Sequence, residues 1–138
     1  MAETDAQLDV LAKADAERLK KFAARLVEAF GEIEVLHSRT GLVMVPMRDT
    51  AQGTNFHLGE VLVSEAHIQS ADAQGYGMRR GHDLEASMAM ALVDLALQRD
   101  INTAACHEFL DAESVALASA DKQTLQRVEA TRVDMETF

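Results

Sequence analysis

The densest run of chemistry-bearing side chains is Arg79-Arg80-Gly81-His82-Asp83-Leu84-Glu85. Two guanidiniums and an imidazole precede a residue type that caps helices, and the N–H groups that open a helix attract anions. Arg80, His82 and Asp83 are therefore candidates for gripping an anion such as a polyphosphate, with Asp83 ordering the turn. The plain alternative is that Asp83 only caps, Glu85 only meets the helix dipole, and the arginines only solvate an acidic surface. A second candidate is the loop Arg48-Asp49-Thr50-Ala51-Gln52-Gly53-Thr54-Asn55, where Arg48 brings a cation to hydroxyls and a glycine. Its alternative is an ordinary polar loop between strands. Glu60, beside Gly59, could be a general base or an intersubunit ion-pair partner, and a solvated strand face is the simpler account.

Other chemistries find no pattern. Among His37, His57, His67, His82 and His107, no two have the three- or four-residue spacing that places ligands on one helical face, so no metal site is expected. His57 and His67 could share a strand face, but ten residues of strand hold them more than about 30 Å apart. Cys106-His107 suggests a nucleophile and base, yet neighbours on a helix diverge by about 100° and a thiolate needs an electropositive, accessible setting. A half-buried cysteine beside a surface histidine is expected instead. There is no G-x-S-x-G elbow, Walker loop or dinucleotide fingerprint. No catalytic residue is assigned.

The chain has 138 residues, enough for one domain over residues 1–138 with a single core. Its 23 acidic and 13 basic residues give a net charge of -10, a field that repels nucleic-acid backbones and anionic lipid surfaces. With one cysteine and no charged-then-apolar leader, a cytoplasmic protein is expected. No apolar run approaches the roughly 18 to 20 residues of a membrane span. Aromatics are 4% with no tryptophan, which argues against stacking platforms for bases or sugars.

These residues need elements to position them. The spacing predicts helix from about Thr4 to Phe30, with Thr4 and Gln7 as a capping box, Gly31 as the stop, and Asp15 either interrupting one rod or capping a second helix. Glu32–His37 and Leu42–Met47 read as two antiparallel strands joined by a turn at Ser38–Gly41, the second confined to an edge around Pro46. Phe56–Gln69 reads as a long strand with a bulge or bend at Gly59, and Gly75–Arg80 as a short fourth strand after a turn at Asp72–Gln74. Asp83 then caps a helix running to about Arg99, and a last helical region spans about Ala104 to Thr131, with a break at Ala120-Asp121 left open. The expected class is α+β: N-terminal helices, an antiparallel sheet of about four strands, and two C-terminal helical segments packed on the sheet.

The helix after Asp83 is apolar on more than one face. Leu84, Met88, Ala91, Leu92 and Leu95 form one stripe, while Met90, Val93 and Leu97 fall largely outside it. Met90, Val93 and Leu97 are thus interface candidates, unless the C-terminal helix covers them internally. Seven methionines lean slightly toward an adaptable contact surface.

An ordered set of motifs carries a family resemblance. Thr40-Gly41-Leu42-Val43, then Gly53-x-x-Phe56-x-x-Gly59-Glu60-Val61-Leu62-Val63, then Gly75-Tyr76-Gly77-x-x-x-Gly81-x-Asp83-x-Glu85-Ala86, and a late Arg132-Val133-Asp134 resemble PhnG, a subunit of the bacterial carbon-phosphorus lyase system of phosphonate metabolism. The motifs are individually weak and specific in combination. The family usually has Gly-Arg-Asp where this chain has Gly81-His82-Asp83, and its tail departs at Met135 and Phe138.

The resemblance implies a non-autonomous subunit that supports transfer of an alkylphosphonate to ribose C1 of ATP with release of adenine, the alpha-D-ribose 1-methylphosphonate 5-triphosphate synthase reaction. It implies PhnI, PhnH, the iron-sulfur radical subunit PhnJ and a PhnL-like ATPase as partners, with nucleoside cleavage residing in PhnI. Self-association is also expected. No cofactor is expected on this chain itself, and ATP would be a substrate of the complex. On that footing Arg80, His82 and Asp83, with Arg48, would edge a composite site. A homodimeric interaction domain with no chemistry of its own is the alternative.

Overall fold

The computed structural model describes residues 2–48 and 55–136, and the side chains of residues 5–44 and 59–130. The elements run α1 (Ala2–Lys13), α2 (Ala16–Phe30), β1 (Glu34–Arg48), β2 (Asn55–Ser70), β3 (Ala73–Arg80), α3 (Leu84–Gln98) and α4 (Thr103–Glu136). This is the α+β order expected from the sequence.

The joint at Asp15 is real: its carboxylate accepts the Arg18 N–H at 3.0 Å and caps α2, which Gly31 ends at φ +70°. The Thr4–Gln7 capping box is not, because α1 already begins at Ala2 and Thr4 lies inside its first turn. Leu19, Ala23, Leu26 and Phe30 give α2 one buried stripe.

Among the described residues the sheet has three antiparallel strands in the order β1-β2-β3, not four. The expected turn at Ser38–Gly41 is strand, since β2 offers every residue of it a partner: Ser38 faces Ala66, Arg39 faces Glu65, Thr40 faces Ser64 and Gly41 faces Val63. Ladder pairing with a 16-residue strand satisfies backbone groups that a four-residue turn would leave to water. The register slips between Val35 and His37, which sets Leu36 out of the alternation, and again between Val45 and Pro46, opposite Gly59. Pro46, which cannot donate to a ladder, lies on the edge strand β1, as its chemistry demands. The Arg48–Asn55 loop, residues 49–54, lies outside the described residues.

α3 lies on β3 and β2, and α2 covers its opposite side. Gly75 and Gly77 permit the close approach: a Cβ on Gly75 would stand 2.2 Å from the Ala91 carbonyl oxygen, and one on Gly77 2.1 Å from that of Ser87. α3 also wraps the outer border of β3. The Tyr76 N–H donates to the Asp94 carboxylate at 3.0 Å, and the Met78 N–H to the Met90 sulfur at 3.4 Å. One turn of helix thus satisfies two N–H groups that an edge strand would expose.

Met90 and Val93 are buried in this core and Leu97 is half-buried against it. The second apolar face of α3 is covered from within, Met90 lying against β3, so these three interface candidates form no free surface. α4 continues unbroken through Ala120-Asp121 and at 34 residues is about 51 Å long. Cys106, Leu110 and Glu113 fix its first turns to the body, with Phe22 and Phe109 stacked at 4.6 Å, while Leu125 and Val128 stay exposed further along.

Candidate functional site

β3 delivers Arg79 and Arg80 to the place where the sheet meets the end of α1. Alternation sends them to opposite sides. Arg79 donates from Nη1 to the Leu11 carbonyl and from Nη2 to the Ala14 carbonyl at 2.6 Å, capping the C-terminus of α1. Arg99 does the same for α2, donating to the Phe30 carbonyl at 3.3 Å and to the Ser70 hydroxyl at 2.9 Å. Burial holds the Arg79 guanidinium below its ordinary pKa, against the opposing pull of Asp83 and Asp15.

Arg80 is exposed and stands across from Val63 in the ladder. With Lys13 and Ala12 of α1, and with Val63, Met78 and Arg79, it lines a cleft of about 580 Å³. Among the described residues, three cations and no acid line it. A second cleft, about 450 Å³, carries Glu32 and Glu34 beside Gln69 and Ser70 and presents the opposite charge.

His82 is exposed, and the Gly81 N–H closes the turn before it by donating to the Leu62 carbonyl at 2.8 Å. Asp83 is fully engaged. It accepts the Ala86 N–H at 3.1 Å as the cap of α3 and pairs with Lys20 at 2.8 Å, and the Lys20 ammonium, with that N–H, holds its carboxyl below the usual range. Beneath it the buried Ser64 and Ser87 hydroxyls lie 2.6 Å apart, and Ser87 donates to the Ser64 carbonyl at 3.0 Å. Asp83 therefore orders the turn. Asp83→Ala is expected to cost about 1–2 kcal/mol by loss of the cap. Asp83→Asn, which caps but cannot pair with Lys20, should recover most of it in urea unfolding; equal losses would refute the capping role.

Arg48 is not brought to this place. The row Gly41–Val63–Arg80 marks where β3 ends, and Arg48 closes β1 opposite Asn55, seven residues further out. That is about 23 Å along a strand. A composite edge of Arg48 with Arg80, His82 and Asp83 does not form within one chain.

Burial pushes the Cys106 thiol up to about 11, so it is a packed core group, with His107 exposed beside it. Among the described residues no three or more His, Cys, Asp or Glu side chains form a metal-binding group. The register does create one juxtaposition that spacing along the chain could not show. His37, His67 and Tyr76 form a cross-strand row, with ring centroids 6.2 Å and 6.1 Å apart and His67 bonded to Gln74 at 3.0 Å. Lys13 was likewise beyond sequence reading as a cleft residue, because only the docking of α1 brings it to Arg80. No helix among the described residues is long and apolar enough to cross a membrane.

Residues 3–138 match the family model described as phosphonate metabolism protein PhnG. A relative, alpha-D-ribose 1-methylphosphonate 5-triphosphate synthase subunit PhnG of Rhizobium meliloti (strain 1021), is 30% identical over 100 residues. That alignment spans 72% of this chain and 64% of the relative, just under two thirds of its length. With a match running nearly from end to end, and with the Gly75-Tyr76-Gly77 and Asp83 motifs in defined structural places, this chain belongs to the PhnG family.

Proposed function

We propose that this chain is a non-autonomous, cytoplasmic subunit of an alpha-D-ribose 1-methylphosphonate 5-triphosphate synthase, working with PhnI, PhnH, PhnJ and PhnL-like subunits while an alkylphosphonate displaces adenine from ribose C1 of ATP. Family membership and the name of the Rhizobium relative support the reaction. The observation that carries the subunit role is the β1–β2 ribbon beyond Val63. Among the described residues it has no third strand, and it exposes Leu42 (63%), Met44 (54%), Val43 (42%) and Leu62 (40%). Leu42 and Leu62 face each other across the ladder, and Val43 points to the opposite side, so both faces of the ribbon are apolar. A two-stranded ribbon is marginal in water by itself, and a clustered apolar surface marks a contact with another molecule.

The test is reconstitution with the other subunits. Leu42→Asp/Leu62→Asp is expected to lower recovery of the assembled complex at least about tenfold, the effect of about 1.4 kcal/mol. Its thermal midpoint alone should match that of the parent chain. Normal assembly of this variant would refute the docking role, and robust turnover of ATP with methylphosphonate by the chain alone would refute the subunit reading.

A further inference from the structure

We infer that the cleft between the end of α1 and the sheet binds a phosphoryl or phosphonyl oxyanion carrying a less polar substituent, the anion meeting Lys13, Arg79 and Arg80 and the substituent resting on Ala12, Val63 and Met78. The proposal rests on the synthase reading only for the choice of ligands to test.

A volume of about 580 Å³ suits a small molecule. Three cations lining one hollow repel each other, and among the described residues none of the lining offsets them. The acids nearest in space are committed elsewhere: Asp83 to Lys20, and Glu113 to Arg18 at 2.7 Å. Asp15 caps α2. Arg79 spends two donors on the neutral Leu11 and Ala14 carbonyls, so its charge is fixed in position without a carboxylate in contact. Arg80 has no ion-pair partner among the described residues, and Lys13 has only the exposed Asp9, at 3.4 Å, a kind of surface pair that contributes little.

The arrangement is one immobile cation flanked by two mobile ones. Arg79 supplies a set point on the wall, and Arg80 and Lys13 can close on an oxyanion from the β3 and α1 sides. Met78 and Val63 lie on the same outer face of the sheet as Arg80, so a group attached to the oxyanion meets sulfur and methyl rather than charge. An alkylphosphonate has this character, whereas a triphosphate chain carries charge along its whole length.

Calorimetric titration of the full chain with tripolyphosphate, methylphosphonate and butylphosphonate tests the site. At least one probe is expected to bind, and Lys13→Gln/Arg80→Gln to weaken it at least tenfold with an unchanged thermal midpoint, because neither side chain holds the fold together. Preference for tripolyphosphate overturns the apolar half of the site. Tighter binding of butylphosphonate than of methylphosphonate, by up to about threefold per methylene, identifies the phosphonate. No binding of any probe up to about 10 mM, or equal binding by the double variant, overturns the site. The double variant should still assemble with the partner subunits, so failure of the cleft and failure of the subunit reading give separate results.

Discussion

Gly77→Ala is expected to cost about 3 kcal/mol or more and to lower the thermal midpoint by about 10 °C. The added Cβ would lie 2.1 Å from the Ser87 carbonyl oxygen, 3.0 Å from the Ala91 nitrogen and 3.1 Å from the Met90 Cβ. Two of the three are helix backbone, so no rotamer change relieves the contact. α3 must lift from the sheet, which loosens the Ser64–Ser87 contact and the bonds from Tyr76 to Asp94 and Met78 to Met90 together. Gly75→Ala meets the Ala91 oxygen at 2.2 Å and should behave alike; the pair of changes should leave no cooperative unfolding transition in calorimetry. Gly41→Ala and Gly59→Ala are controls, since a Cβ there meets nothing within 4 Å. A midpoint for Gly77→Ala within about 2 °C of the parent would show that helix and sheet are not in the contact described.

Arg18→Ala should be the most damaging single change to a charge, costing about twice the midpoint loss of Glu113→Gln. Glu113 lies inside the joint of α1, α2 and α4 with its side chain 4% exposed, whereas Arg18 is 59% exposed. Arg18 grips both carboxylate oxygens, Nε to Oε1 at 2.7 Å and Nη2 to Oε2 at 3.1 Å, and the Asp15 N–H adds a longer bond of 3.4 Å. Without Glu113 the guanidinium is rehydrated. Without Arg18 a carboxylate stays buried with one weak donor, and that asymmetry sets the order.

The pH dependence follows from the same geometry. The Arg18 guanidinium holds the Glu113 carboxyl below its ordinary value, as Lys20 does for Asp83, so both contributions are complete above the unfolded values near 4 and fade as pH falls through the lower folded ones. Asp94, raised by burial, has the opposite sign and regains stability on protonation. In Arg18→Ala the orphaned Glu113 should join Asp94 in that behaviour. The gap between variant and parent is therefore widest at neutral pH and narrows toward about pH 4. A gap that widens on acidification would contradict the pairing.

What the sequence disclosed was local. Asp15 and Asp83 are recognisable caps because each bonds to an N–H three residues away, and Gly31 ends its helix by its own φ. What it hid was set by distant partners. Arg79 read as an anion-gripping or solvating charge and Arg99 only as the end of a helix, yet each closes a helix about 70 residues earlier in the chain, through bonds that no periodicity announces. Gly75-Tyr76-Gly77 stood out only as a pattern, and its cause is the backbone of α3. Arg80 was found from its neighbours, but Lys13 joins it only because α1 docks there, and Arg48 is carried away by a strand that continues where a turn was expected. Burial of Met90 and Val93 depended on the tertiary packing of α3, Met90 lying against β3, which composition could not convey.

The wrapping of β3 by Asp94 and Met90 gives the sheet a direction of growth. With that border sealed by a carboxylate and a thioether, a foreign strand is steered to β1, the other border of the sheet, or to the flank of β2 beyond Val63, where β3 has ended.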